Sequence, residues 1–288
     1  MSYIIIADSP TDLRYQDVDR YQLPLFYIPY IMDGVEHTGD MGRGPERRAF
    51  YKALRDGSTP TTSQLTEYAY AEMFERYLQE GTDILFISFP RALSHTIENA
   101  RAAAKKLLEQ YPERRLEIFD CRNVSAGYGQ LVLKALQNRE NGLDFDGNLK
   151  WLQENWSKSN VVFAVDDLNH LKRGGRISAT TAIVGKLLDV KPIFELDEAG
   201  GIRVVEKVQG RKKALRTLLT RLEARHPLPG ESIIIMHGDC EQDAELLKKM
   251  VLNRLPETDV QIWTVGEIVG THAGPSVIAM AYWGDARV

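Results

Sequence analysis

Only two of the 288 residues are cysteine, Cys121 and Cys240, so a disulfide framework is excluded and a reducing compartment fits. No Cys-x-x-Cys or His-x-x-x-His pair occurs, which leaves zinc without its usual ligand spacing. The chain has no excess of positive charge: 36 Lys and Arg stand against 40 Asp and Glu, a net charge of -4. That balance argues against nucleic acid as the main partner, because phosphate neutralisation wants a basic surface. No run approaches the roughly 20 apolar residues that span a bilayer. The start lacks a basic segment, and Asp8 breaks its apolar run too early for a secretory signal. A soluble, cytoplasmic protein is expected. The phosphate loop Gly-x-x-x-x-Gly-Lys-Ser/Thr and the serine-hydrolase elbow Gly-x-Ser-x-Gly are also missing.

What is present reads as a two-domain α/β protein. Hydrophobic residues make up 43% and charged residues 26%, the mixture of a folded chain long enough for two ordinary domains. In the first half, strand patterns at residues 3–7, 83–88 and 115–119 alternate with helix patterns at 45–56, 64–80, 96–109 and 124–137. A further extended run covers 23–32, interrupted by Pro24 and Pro29. Such alternation predicts a mainly parallel sheet flanked by helices. After a helix at about 149–156 the character changes. Strands are expected at 161–165, 192–196, 202–208, 232–236, 259–265 and 276–283, with helices at 211–225 and 240–255. The pair around Asp197-Glu198-Ala199-Gly200-Gly201 reads as a β-hairpin whose glycines supply positive φ. The expectation is an N-terminal α/β domain over residues 1–157 and a C-terminal α+β domain with a mixed or antiparallel sheet over 158–288, with the ligand site at their junction.

Four separated stretches carry chemistry that could grip an anionic head group: Pro60-Thr61-Thr62-Ser63-Gln64, Leu93-Ser94-His95-Thr96, Gly270-Thr271-His272-Ala273-Gly274-Pro275, and Leu171-Lys172-Arg173-Gly174-Gly175-Arg176-Ile177-Ser178. Ser94, Thr62 and Ser63 precede expected helices. Capping of orphan backbone N–H groups accounts for each taken singly. In a parallel α/β sheet, however, helix starts collect at the carboxyl edge of the strands, where ligands bind. Two such hydroxyls could therefore hold one carboxylate. His272 reads as part of a glycine loop, either an ordered turn or a donor to a ligand oxygen. His95 is either a solvated neighbour of Ser94 or a second head-group contact. Arg173 and Arg176 serve equally as ion-pair partners of Asp166 or Asp167 and as ligand contacts. The basic run through Lys207, Arg211, Lys212, Lys213, Arg216 and Arg221 is a solvated helix face or a docking face for an acidic partner. A Ser94–His272–Asp8 relay stays open, since triads are defined by geometry rather than order.

In order along the chain, these motifs resemble the DegV family of fatty-acid-binding proteins. The likeness runs from Asp8-Ser9-Pro10-Thr11-Asp12-Leu13 through Thr62-Ser63-Gln64, Leu93-Ser94-x-Thr96 and Leu171-x-x-Gly174-Gly175-Arg176-Ile177 to the His272 stretch. The resemblance implies a non-catalytic carrier that buries a long-chain fatty acid and holds its carboxylate at the domain junction. Carried over by position, Thr62 and Ser94 hold the carboxylate, with Ser63, His95 and His272 beside them. Arg173, Arg176 and Gln209 are implied as secondary or partner contacts. The resemblance further implies no cofactor, no metal, and a separate ATP-dependent fatty-acid kinase that converts the presented acid to an acyl-phosphate. The chain departs from the family pattern at His95 (usually glycine), Gln209 (commonly arginine) and Ser276 (usually glycine). The rival reading is an acyl hydrolase or transferase using Ser94 with His272.

Overall fold

The structure is a computed structural model that describes residues 3–177 and 189–287. Near the N-terminus, Tyr-Ile-Ile-Ile-Ala-Asp forms β1 (Tyr3–Asp8), and β2 (Leu25–Phe26), β6 (Asp83–Ser88) and β7 (Leu116–Asp120) join it in the order β2-β1-β6-β7. Every pairing in this sheet is parallel. The apolar runs are continuous rather than alternating because helices cover both faces. On one face, α3 (Glu67–Gln79) and α4 (Thr96–Gln110) pack Tyr70, Phe74, Ala100 and Ala103 on Ile6, Ile84 and Phe86. On the other, α5 (Ser125–Glu140) sets Tyr128, Leu131 and Ala135 against Ile5, Ala7, Leu85 and Ile87. The smaller helices of this half are α1 (Tyr15–Tyr21), α2 (Glu46–Arg55) and α6 (Phe145–Asn155).

The expected extended run at 23–32 is broken in two. Its second part, β3 (Pro29–Met32), turns through Asp33 and Gly34, at φ 52° and 82°, into β4 (Val35–Thr38). An Asp-Gly pair with both residues at positive φ is the tight hairpin connection that suits strand twist. β3 also pairs with β5 (Thr61–Thr62), giving a three-stranded antiparallel sheet that the sequence reading missed. The helix expected from Gln64 starts later, at Glu67, because Thr66 accepts the Ala69 N–H at 3.2 Å and takes the cap. Asp144 likewise caps α6 through Gly147, moving its start ahead of the expected 149.

The second sheet has six strands in the order β10-β9-β8-β13-β11-β12: β8 (Ser159–Ala164), β9 (Val190–Leu196), β10 (Ile202–Gln209), β11 (Ile233–His237), β12 (Val260–Thr264) and β13 (Ile278–Trp283). It is mixed, with β11–β12 parallel and the other pairings antiparallel. The β9–β10 hairpin turns through Gly200 at φ 87°. Two helices, α8 (Arg211–Glu223) and α9 (Glu241–Arg254), bury Leu215, Leu218, Leu247 and Val251 on one face. The opposite face, bearing Val161, Phe163, Ala279 and Ala281, turns toward α5. Gly127 makes this approach possible: a Cβ there would lie 2.4 Å from Val161 Cγ2. The remaining helices among the described residues are α7 (Asn169–Arg173), which runs into the arginine-glycine stretch, and α10 (Glu267–Ala273). Ser178, the last residue of that stretch, lies outside the described residues.

Candidate functional site

A cavity of about 310 Å3 opens between the two sheets. Its walls are mostly apolar side chains from both halves: Ile28 and Phe89 from the first, Val161, Phe163, Ile268 and Ala279 from the second. The register explains the second wall. Phe163 on β8 pairs with Ala279 on β13, so the two side chains share a face, and Val161 follows two residues away on that face.

The polar groups come from widely separated parts of the chain. Thr62 sits on β5, held beside Tyr30, rather than at a helix start as its sequence context predicts. Ser63 and Ser94 line the same cavity. Ser94 lies two residues before α4, where its Oγ accepts the Thr96 N–H at 3.3 Å. His272 belongs to the last turn of α10, not to a glycine loop. The glycines around it serve packing instead. A Cβ at Gly270 would meet the Tyr51 hydroxyl at 2.7 Å, and one at Gly174 would meet His272 Nδ1 at 2.2 Å.

His272 and Thr62, 210 residues apart, meet through Nε2 and Oγ1 at 2.9 Å. The ring is held neutral. Burial, with the positive charge of Arg176 adding to it, pushes its pKa down to about 3. Nδ1 is buried without a hydrogen-bond partner, so the ring proton belongs on Nε2, where it is used. Nε2–H then donates to Thr62 Oγ1, and the threonine hydroxyl keeps its own proton to donate onward. Arg176 lines the cavity as well, half-buried. It donates from Nε to Leu93 O at 3.0 Å and from Nη1 to Gly174 O. Burial lowers its pKa, and among the described residues no acidic neighbour opposes the shift. The carboxylates considered for it are engaged elsewhere: Asp166 with Lys191 and Arg211, and Asp167 with the Asn169 N–H.

The other sequence candidates lie apart. His95 is exposed at the start of α4 and borders a surface depression with Arg91, Asp120 and Arg122, not the cavity. The side chain at that position points outward, so exchanging glycine for histidine alters the surface. Arg173 is exposed, and its Nη2 donates to His170 Nδ1 at 3.0 Å. Gln209 ends β10 opposite Val190, away from the cavity lining. The Ser94–His272–Asp8 relay is not assembled, because His272 bonds Thr62 while Asp8 Oδ2 accepts the Phe89 N–H. Thr96, which closes the Leu93–Thr96 stretch, and Ser125, which the sequence reading passed over, line the cavity. Thr96 shares a hydrogen bond with the Tyr70 hydroxyl at 2.8 Å, and Ser125 donates to Asp12 at 2.5 Å. Among the described residues no cluster of His, Cys, Asp or Glu could hold a metal ion, and no helix is long and apolar enough to cross a membrane.

A profile of the family described as "Uncharacterised protein, DegV family" matches residues 2–285. A DegV domain-containing protein of Clostridium perfringens is 37% identical over 286 residues, covering 99% of this chain and 98% of its own. Among solved structures, a fatty acid binding DegV family protein from Streptococcus agalactiae superposes with a TM-score of 0.87 at 28% identity, over 99% of each chain. A DegV lipid binding protein from Thermotoga maritima gives a TM-score of 0.84 at 26% identity over the whole of both chains.

Proposed function

The chain belongs to the DegV family, and we propose that this member is a non-catalytic carrier of one long-chain fatty acid. The carboxylate lies against Thr62, Ser94 and Arg176, with Ser63 beside them. His272 acts through Thr62, fixing its hydroxyl as a donor. The tail runs along Phe163, Val161 and Ala279. One observation carries this reading: an apolar cavity in which neutral hydroxyl donors and a guanidinium, without an acidic partner among the described residues, line the wall together. Energetics favour the same occupant. Each buried methylene contributes about 0.8 kcal/mol, so about ten of them supply roughly 8 kcal/mol. That exceeds the several kcal/mol lost on desolvating a carboxylate, which the donors further offset.

Two finer points rest on the same reading. The carboxylate is presented to a separate ATP-dependent kinase, which transfers the γ-phosphoryl group to a carboxylate oxygen and leaves ADP. Residues 1–157 and 158–288 form the two domains. This division is supported by β1–β7 all preceding it and β8–β13 all following it. The rival hydrolase reading loses its support, because among the described residues no carboxylate orients His272 and its bond is to Thr62 rather than Ser94.

Mass spectrometry of gently purified, then denatured, protein tests the proposal. One fatty acid per chain is expected. The double variant Thr62→Ala/Ser94→Ala is expected to lose it while keeping its fold. Unchanged lipid content in that variant would overturn the assignment, and turnover of activated acyl esters lost in Ser94→Ala would reinstate the enzyme.

A further inference from the structure

Beneath the head-group residues lies a buried charge cluster. Asp12 and Glu267 are each 3% exposed, and a single guanidinium, Arg47, serves both. Arg47 Nε meets Glu267 Oε1 at 3.2 Å and its Nη1 donates to Thr264 O at 3.3 Å. Asp12 accepts the Ser125 hydroxyl at 2.5 Å, and the backbone of Gly266 presses on it so closely that a Cβ there would come within 2.3 Å of Asp12 Oδ1. Tyr51, one turn beyond Arg47 on α2, donates to Val265 O at 2.9 Å. These contacts converge on the start of α10, the helix whose last turn bears His272. At seven residues α10 is too short to hold itself in place by its own hydrogen bonds. Its position must come from what grips it.

We propose that Asp12, Arg47 and Glu267 are positioning residues for the head-group site: they dock the start of α10 onto the first half of the chain and thereby set His272 against Thr62 at the cavity wall. This rests on the carboxylate reading above. Charge counting gives the device its sensitivity, since two carboxylates share one cation in a dry site. Around it face Tyr30 of β3, Asp40 and Glu46 ahead of and within α2, Tyr51 of α2, and Cys240 before α9. Burial, opposed by Arg47 and Ser125, raises the Asp12 pKa to about 7, so the cluster changes charge near neutrality.

The test uses Arg47→Met, which keeps the length of the side chain and removes its charge. Two readouts are taken on the full chain: palmitate affinity after delipidation, and the imidazole NMR signals of His272 without ligand. Expected are displaced His272 signals and affinity lowered roughly tenfold at about pH 8, a deficit that shrinks toward about pH 6 as Asp12 takes up its proton. Arg47→Lys restores most of the affinity. Unchanged His272 signals with unchanged affinity overturn the proposal, as does a deficit that ignores pH. If the native protein itself fails to bind palmitate, the carrier reading falls, while the His272 signals still decide the positioning claim. Should Arg47→Met not fold, Glu267→Gln takes its place, and undisturbed His272 signals there overturn the proposal equally.

Discussion

Arg176 spends its bonds on two backbone carbonyls and keeps its charge for the cavity. Hydrogen bonds to charged groups are worth about 1.5–3 kcal/mol, so Arg176→Gln is expected to weaken fatty-acid binding roughly tenfold or more. Isothermal titration of delipidated protein checks this, and an affinity equal to the native value would remove Arg176 from the site. At this scale the sequence was informative about residue type and less so about direction. Thr62, Ser94 and His272 do gather at one cavity, although Thr62 arrives on a strand and His272 on a helix. His95 sits next to Ser94 in the chain yet faces outward, because adjacent residues at a helix start point different ways. For Arg176 the ion-pair and ligand readings were equally open. Only the placement of Asp166 and Asp167 beside other partners separated them.

Among the elements, α5 shows how far packing outranks propensity. Gly127 lies within its buried face and meets Val161 and Asn123. Alanine is a better helix former than glycine by up to about 1 kcal/mol. Even so, Gly127→Ala is expected to destabilise the chain by about 1–3 kcal/mol, the range for overfilling a close-packed contact. Denaturant unfolding measures the sign; a gain would mean that α5 and β8 are not pressed together. The same trait hid α10 from sequence reading. Gly266, Gly270 and Gly274 look like loop punctuation, yet they admit Asp12, Tyr51 and His170 to the helix surface. The strongly patterned elements were legible for separate reasons: β1 and β6 are runs of largely buried apolar residues, α4 buries one face at helical spacing, and glycines mark the turn of the β9–β10 hairpin. The short strands β4 and β5 were not, since a four-residue and a two-residue piece carry too little periodicity, and β3 was legible only as part of a longer extended run.

For the whole molecule, the alternation of strand and helix was enough to give the parallel sheet and the change to a mixed one. Which faces of the two sheets enclose the cavity depends on α5 serving both, and no local pattern encodes that. Buried ionisable groups make stability depend on pH in opposing senses. Burial raises the folded-state pKa of Asp8 and of Asp12 to about 7 from 3.8, so the stability that each lends when protonated is lost as pH rises through about 7. Burial lowers the pKa of His170, His237 and His272, whose contribution is lost instead as pH falls below about 6.5. The two trends overlap, so a variant isolates one of them. Native protein is expected to lose stability relative to Asp12→Asn as pH rises from about 4 to about 7. Urea unfolding at both limits checks it, and a constant difference would mean that Asp12 is ionised throughout.

Among the described residues the backbone passes from the first sheet to the second just once, between Trp156 and Ser159, and residues 284–287 return to that same spot, where Gly284 and Arg287 bond Lys158 and Ser157. Elsewhere the two halves touch without covalent linkage. An oily guest seeking the interior thus needs no peptide thread to be cut or rewound. On the proposed function, entry of a fatty acid calls only for these packed halves to separate about that single crossing.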